Sequence, residues 1–215
     1  MSWVRCWAVG ILLGSFGCGE ALAPPDYPDF TDALAELDQS SGEVVSPTPY
    51  SPGTPRLSLG IFYDGPYSDI ILLDDQTSHF YIYSGSFDIR NEYQLVREGT
   101  RADTIIGTGA AWLGGGVTWD EPKDLSDWTS LHVSLRSNNE AYRGLQLEIE
   151  AGQTLRVSFA NYGFVPDGEW HDLKIPLSDL VERGADLTTV ARPFVLSGGA
   201  VQVGVRLVVD NLFLE

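Results

Sequence analysis

From residue 56 onward, hydrophobic and polar side chains alternate with period two. Leu131-His132-Val133-Ser134-Leu135-Arg136 puts Leu, Val and Leu on one side and His, Ser and Arg on the other. Leu145-Gln146-Leu147-Glu148-Ile149-Glu150, Leu155-Arg156-Val157-Ser158-Phe159 and Val201-Gln202-Val203-Gly204-Val205-Arg206-Leu207 repeat the pattern. Successive strand side chains point to opposite faces, so this alternation predicts strands with one face on a core and one face in water. Shorter runs at 57–62, 70–73, 80–83, 87–89, 93–97, 104–106, 117–119, 171–175 and 194–196 predict further strands. They are punctuated by turn signals such as Asp64-Gly65-Pro66, Gly114-Gly115-Gly116, Asp167-Gly168 and Ser197-Gly198-Gly199. A helical turn is predicted only at 177–182, after Pro176. Many short strands with almost no helical period predict an all-β domain, a two-sheet antiparallel sandwich over 56–215.

Before residue 56 the pattern changes. Residues 19–55 hold seven acidic residues, seven prolines and no Lys or Arg. Like charges and prolines keep such a chain extended, so a disordered tether is expected. Phe30, Leu34 and Leu37 form one island of helical spacing at 29–38, too short to be stable alone in water. Residues 1–18 carry Arg5, an apolar run from Cys6 to Leu13 and a small-residue segment, the layout of an export signal. That run is shorter than the about 20 apolar residues a membrane span needs. Ala21-Leu22-Ala23 resembles a signal-peptidase site, but Pro24 would follow the cut. Gly17-Cys18 resembles the end of a bacterial lipobox, with Ser15 and Phe16 departing from the pattern. The lipobox resemblance implies lipidation at Cys18, a membrane anchor in the bacterial cell envelope, and secretion if the lipid is not added.

Composition removes several functions. The formal charge of −17, from 13 Lys+Arg against 30 Asp+Glu, leaves no basic surface for nucleic acid. The two cysteines are Cys6 and Cys18, so the β-domain has no disulfide and no thiol nucleophile. His79, His132 and His171 fall on different predicted strands without metal-site spacing. No G-x-S-x-G, P-loop or dinucleotide fingerprint is present, and Glu148 and Glu150 share one face of a single strand rather than flanking a cleft. No catalytic site is expected.

Several segments resemble galactose-binding-like jelly rolls, a group best known from carbohydrate-binding modules of bacterial glycanases. Trp170-His171-Asp172-Leu173-Lys174-Ile175-Pro176-Leu177-Ser178-Asp179-Leu180 is similar to their W-x-x-hydrophobic-x-hydrophobic-P-L-S-x-L strand and turn. Asp124-Leu125-Ser126-Asp127-Trp128-Thr129-Ser130-Leu131 resembles their D-L-S-x-W-x-x-L segment, and Val208-Val209-Asp210-Asn211-Leu212 their closing strand. The resemblance covers 56–215 and implies a jelly roll that binds sugar on one sheet or in the end loops. It needs no cofactor, with a candidate structural calcium joining the first and last strands through Asp64 and Asp210.

Sugar recognition combines rings stacked on apolar C–H faces with polar groups that fix hydroxyls. Tyr81, Tyr83, Trp112 and Tyr162 are the candidate rings. The polar sides of the strands supply His132, Arg136, Gln146, Glu148, Arg156, Gln202 and Arg206, which form one patch if those strands are neighbours. Two functions remain open: a non-catalytic lipoprotein that binds or tethers a polysaccharide or other glycan at the cell envelope, or a structural or adhesive lipoprotein whose jelly roll contacts an envelope protein.

Overall fold

A computed structural model describes residues 56–59, 62, 70–72 (backbone only) and 78–215. Cys18, the 19–55 tether, the 29–38 island and Asp64 lie outside the described residues. Among those described, twelve strands form two sheets, and the chain is a two-sheet jelly-roll β-sandwich. In chain order the strands are β1 (Arg56–Ser58), β2 (Ile70–Leu72), β3 (Ser78–Ile82), β4 (Phe87–Glu92), β5 (Ala102–Gly107), β6 (Trp112–Trp119), β7 (Ser130–Arg136), β8 (Gln146–Ala151), β9 (Gln153–Ser158), β10 (Trp170–Pro176), β11 (Val190–Gly199) and β12 (Arg206–Leu214). One sheet runs β10-β7-β12-β1-β2, with β5 on β12 and β4 on β5; the other runs β3-β6-β11-β8-β9. All pairs are antiparallel except β1–β2. From β5 onward the chain crosses repeatedly between the sheets, which gives each strand an inner face against the other layer.

The odd-numbered residues Leu131, Val133 and Leu135 of β7 and Leu147 and Ile149 of β8 are buried as expected, but only β8 alternates in burial, since His132 and Ser134 on the other face of β7 are buried as well. The odd-numbered residues meet Phe194, Leu196, Val117, Leu173, Ile175 and Leu207 in one continuous core. Each such side chain contributes roughly 1.5–3 kcal/mol by leaving water. The predicted helical turn is present as α1 (Leu177–Val181), which follows Pro176 and buries Leu177 and Leu180.

Two expected strands are corrected. Residues 93–97 form a loop, because Arg97 and Glu98 donate their N–H groups to Asp210 Oδ2 at 2.9 and 3.1 Å rather than to a ladder. Residues 201–205 form a turn, Gly204 and Val205 exchanging backbone bonds with Gly107, and β12 begins only at Arg206. Strand β12 is buried on both faces from Leu207 to Leu214, which is why its sequence is a nearly continuous apolar run. One edge of β12 pairs with β5 over Arg206–Val209 and with β1 over Phe213–Leu214, its pairing with β7 on the other edge shifts register between Asp210 and Phe213, and the 93–100 loop reaches Asp210 at that break.

Candidate functional site

The two sheets present different outer faces. On the seven-stranded sheet the polar residues that alternation placed in water are largely buried. His132, Ser134, Arg56, Arg97, Glu98, Asp210 and Asn211 are all buried. Arg97 grips Asp172 through Nε and Nη2 at 2.9 and 2.6 Å, and Ser134 Oγ donates to the same carboxylate at 2.6 Å. Arg56 sits 3.8 Å from Glu98 and 4.7 Å above the Phe213 ring. His132 stacks on Phe213 at 4.7 Å, with Nε2 2.7 Å from Glu215 Oε2. That last contact has the geometry of an ion pair. Burial nevertheless dominates and holds the imidazole pKa down to about 4, against the pull of Glu215 and with a push from Lys174 and Arg56. A neutral imidazole whose Nε2–H donates to the carboxylate satisfies both observations.

The expected residues of this face are scattered. His132 is part of the buried network, Arg136 is half-buried beside Trp170, and Arg206 is exposed at the start of β12. Gln202 lies in the 201–205 turn. Tyr162, in a 3-10 turn at Phe159–Tyr162, is half-buried and donates to Asp179 Oδ2 at 3.2 Å. The single patch expected of these residues together with Gln146, Glu148 and Arg156 therefore does not form. Strand parity fixes the face of a residue within its sheet, but β7 and β12 belong to one sheet and β8 and β9 to the other.

The described neighbours of Asp210 are hydrogen-bond donors, and Asp64, the other residue expected to hold calcium, lies outside the described residues. Asp210 is wholly buried, with Oδ2 accepting from the Arg97 and Glu98 N–H groups and Oδ1 from the Asn211 N–H at 2.8 Å. Calcium requires a cage of oxygens, whereas these neighbours are donors that favour an anion. Among the described residues no group of three or more His, Cys, Asp or Glu is placed to hold a metal.

The five-stranded sheet carries a recess among the described residues. Inter-strand registers set Tyr81, Gly116, Val195, Glu148 and Arg156 in one row across its outer face. The next row holds Gly114, Ser197, Gln146 and Ser158. Phe80 and Ile82 turn to the core, so Tyr81 stands outward, and Tyr83 follows in the 3-10 turn Tyr83–Gly85. Trp112 opens β6 with its ring stacked against Tyr83 at 6.2 Å and 24°. The result is a groove of 310 Å³ lined by Tyr83, Trp112, Gly114, Glu148, Arg156, Arg192, Val195 and Ser197.

One wall is aromatic and the other ionic, and glycine lowers the floor between them. The ionic wall is internally paired, Arg156 Nε to Glu148 Oε2 at 2.7 Å and Arg192 Nη2 to Glu150 Oε2 at 2.8 Å. A Cβ on Gly114 would collide with the Trp112 ring, and one on Gly116 with the backbone of Phe194 and Val195. Among the described residues Tyr83 Oη and Ser197 Oγ are shut off from water and meet no hydrogen-bond partner. Of the expected residues the groove unites Tyr83, Trp112, Glu148 and Arg156, with Tyr81 and Gln146 beside them on the same face. Arg192 and Ser197 were not foreseen. Arg192 follows a register irregularity on β11 that breaks strand parity, and Ser197-Gly198-Gly199 has the composition of a turn although it is strand.

No protein-family model and no curated protein sequence matches the chain. Among solved structures the chain is similar to a family 30 carbohydrate-binding module, at 15% identity and a TM-score of 0.51, over 75% of this chain and 99% of that one. It is also similar to part of an exo-1,3/1,4-β-glucanase from a Pseudoalteromonas species, at 13% identity and a TM-score of 0.50, over 78% of this chain and 21% of the glucanase. At these identities the likeness is one of fold, the two-sheet β-sandwich.

Proposed function

We propose that this protein is a non-catalytic glycan-binding lipoprotein of the bacterial cell envelope, and that the groove on the five-stranded sheet is its binding site. The observation that carries this reading is the pairing of an aromatic wall, Tyr83 and Trp112 with Tyr81 beside them, with polar groups across a glycine floor. A pyranose offers apolar C–H faces to such rings and hydroxyls to such polar groups. Glu148 and Glu150 are each tied to an arginine on the same sheet face, an arrangement that supports binding rather than general acid–base chemistry. Among the described residues the other exposed large apolar side chains, Tyr93, Val165, Val181 and Val203, lie on separate loops, turns and α1.

Anchoring is through Cys18, lipidated after removal of residues 1–17, and the acidic, proline-rich 19–55 segment holds the domain away from the membrane. Affinity gels cast with glucans, xylan and peptidoglycan fragments test the binding. Retardation by at least one polysaccharide is expected. Free migration across the panel would overturn the reading in favour of a jelly roll that contacts protein.

A further inference from the structure

The groove holds two hydroxyls that the free protein leaves unused. Tyr83 Oη and Ser197 Oγ are both out of reach of water, and neither has a hydrogen-bond partner among the described residues. An unpartnered buried hydroxyl is unfavourable and calls for an explanation. Ser197 is the register partner of Gly114. The Trp112 indole lies on Gly114: the three atoms nearest to a Cβ built there are Cζ3, Cη2 and Cε3 of Trp112. The same indole stacks on the Tyr83 ring. Trp112 is the first residue of β6 and 43% exposed, so its ring has solvent beside it to move into.

We infer that Ser197 Oγ and Tyr83 Oη are the groups that read ligand hydroxyls in this groove, covered in the free protein by the Trp112 indole and uncovered when the indole lifts off Gly114. The inference rests on the reading of the groove as a glycan site and adds which atoms do the recognising. A sugar ring entering under the lifted indole would give both hydroxyls a partner while its C–H face meets the displaced aromatic ring. The opposite wall fits a ligand recognised through hydroxyls, because Arg156 and Arg192 are already held by Glu148 and Glu150.

Gly114→Ala supplies the test. The three atoms nearest to the added methyl all belong to the Trp112 indole, and Gly114 has no positive φ, so alanine fits the strand while the indole is forced off its resting place. Acrylamide quenching of the Trp112 emission, taken as the difference from Trp112→Phe in each background, should be stronger in Gly114→Ala than in the parent protein. With the polysaccharide that retards the parent most in the gels, Gly114→Ala should bind at least as tightly. Ser197→Ala and Tyr83→Phe should each weaken binding about fivefold, the worth of one neutral hydrogen bond. Ser197→Ala should melt no lower than the parent, since it removes an unpartnered hydroxyl. Unchanged affinity in Ser197→Ala and Tyr83→Phe, or loss of binding in Gly114→Ala, would overturn the inference while leaving the groove as the glycan site. If the parent binds no polysaccharide, the glycan reading falls; equal quenching in the two backgrounds would independently overturn the covering by Trp112.

Discussion

His132 makes the sandwich acid-sensitive by an amount that follows from its burial. The ring is 3% exposed, stacked on Phe213, and faced by Glu215, Lys174 and Arg56. Burial lowers its pKa from 6.5 to about 4, so between those values the unfolded chain binds a proton that the folded chain refuses. Stability from this group is complete above pH 6.5 and is lost as the pH falls toward 4. Linkage gives a loss of about 2 kcal/mol by pH 5 and about 3 kcal/mol by pH 4. Other acidic groups titrate in the same experiment, and the comparison with His132→Gln removes their share, because glutamine does not titrate and keeps a donor for Glu215. Urea unfolding of both proteins at pH 7, 5 and 4 is the assay. The parent protein should lose about 2 kcal/mol more than the variant between pH 7 and 5. Parallel losses in the two proteins would refute a neutral, buried His132.

Gly116→Ala should destabilise the fold by about 1–3 kcal/mol in a thermal melt, since its methyl meets the backbone of β11 and nothing there can give way. Gly114→Ala, by contrast, should melt near the parent. Asp210→Asn removes the charge from a carboxylate that holds three backbone N–H groups and should cost about 1.5–3 kcal/mol. Neither calcium nor EDTA should move the melting midpoint of the parent; a calcium-dependent rise lost in Asp210→Asn would restore the ion. Cys18→Ser should shift the protein from the detergent phase to the aqueous phase, because the acyl chains supply the hydrophobic hold on the membrane; equal partitioning would remove the anchor.

Strand parity made much of this legible. It put Leu147 and Ile149 inward and Glu148 outward on β8, and opposed Tyr81 to Phe80 and Ile82 on β3. It failed where alternation and backbone pairing part company. The 201–207 run alternates across a turn, and the 93–97 run spends its N–H groups on a carboxylate far away in sequence. It also carries no information on sheet membership, which is why His132, Arg136 and Arg206 were grouped with Glu148 and Arg156. Gly114-Gly115-Gly116 and Gly198-Gly199 have the composition of turns but lie inside β6 and β11, where Gly114 lines the groove. The acidic residue of the closing strand was visible, but its partners were not, since Arg97 and Glu98 reach it from more than a hundred residues away.

The central claim is that a glycan sits on the five-stranded sheet and not on the other. Titration calorimetry with the retarding polysaccharide tests it most directly, comparing Tyr81→Ala and Trp112→Ala with Arg206→Ala, which is exposed on the seven-stranded sheet. Loss of a stacked ring should weaken binding about fivefold or more in each of the first two, while Arg206→Ala binds as the parent does. Undiminished binding in both aromatic variants, or a loss confined to Arg206→Ala, would contradict the account.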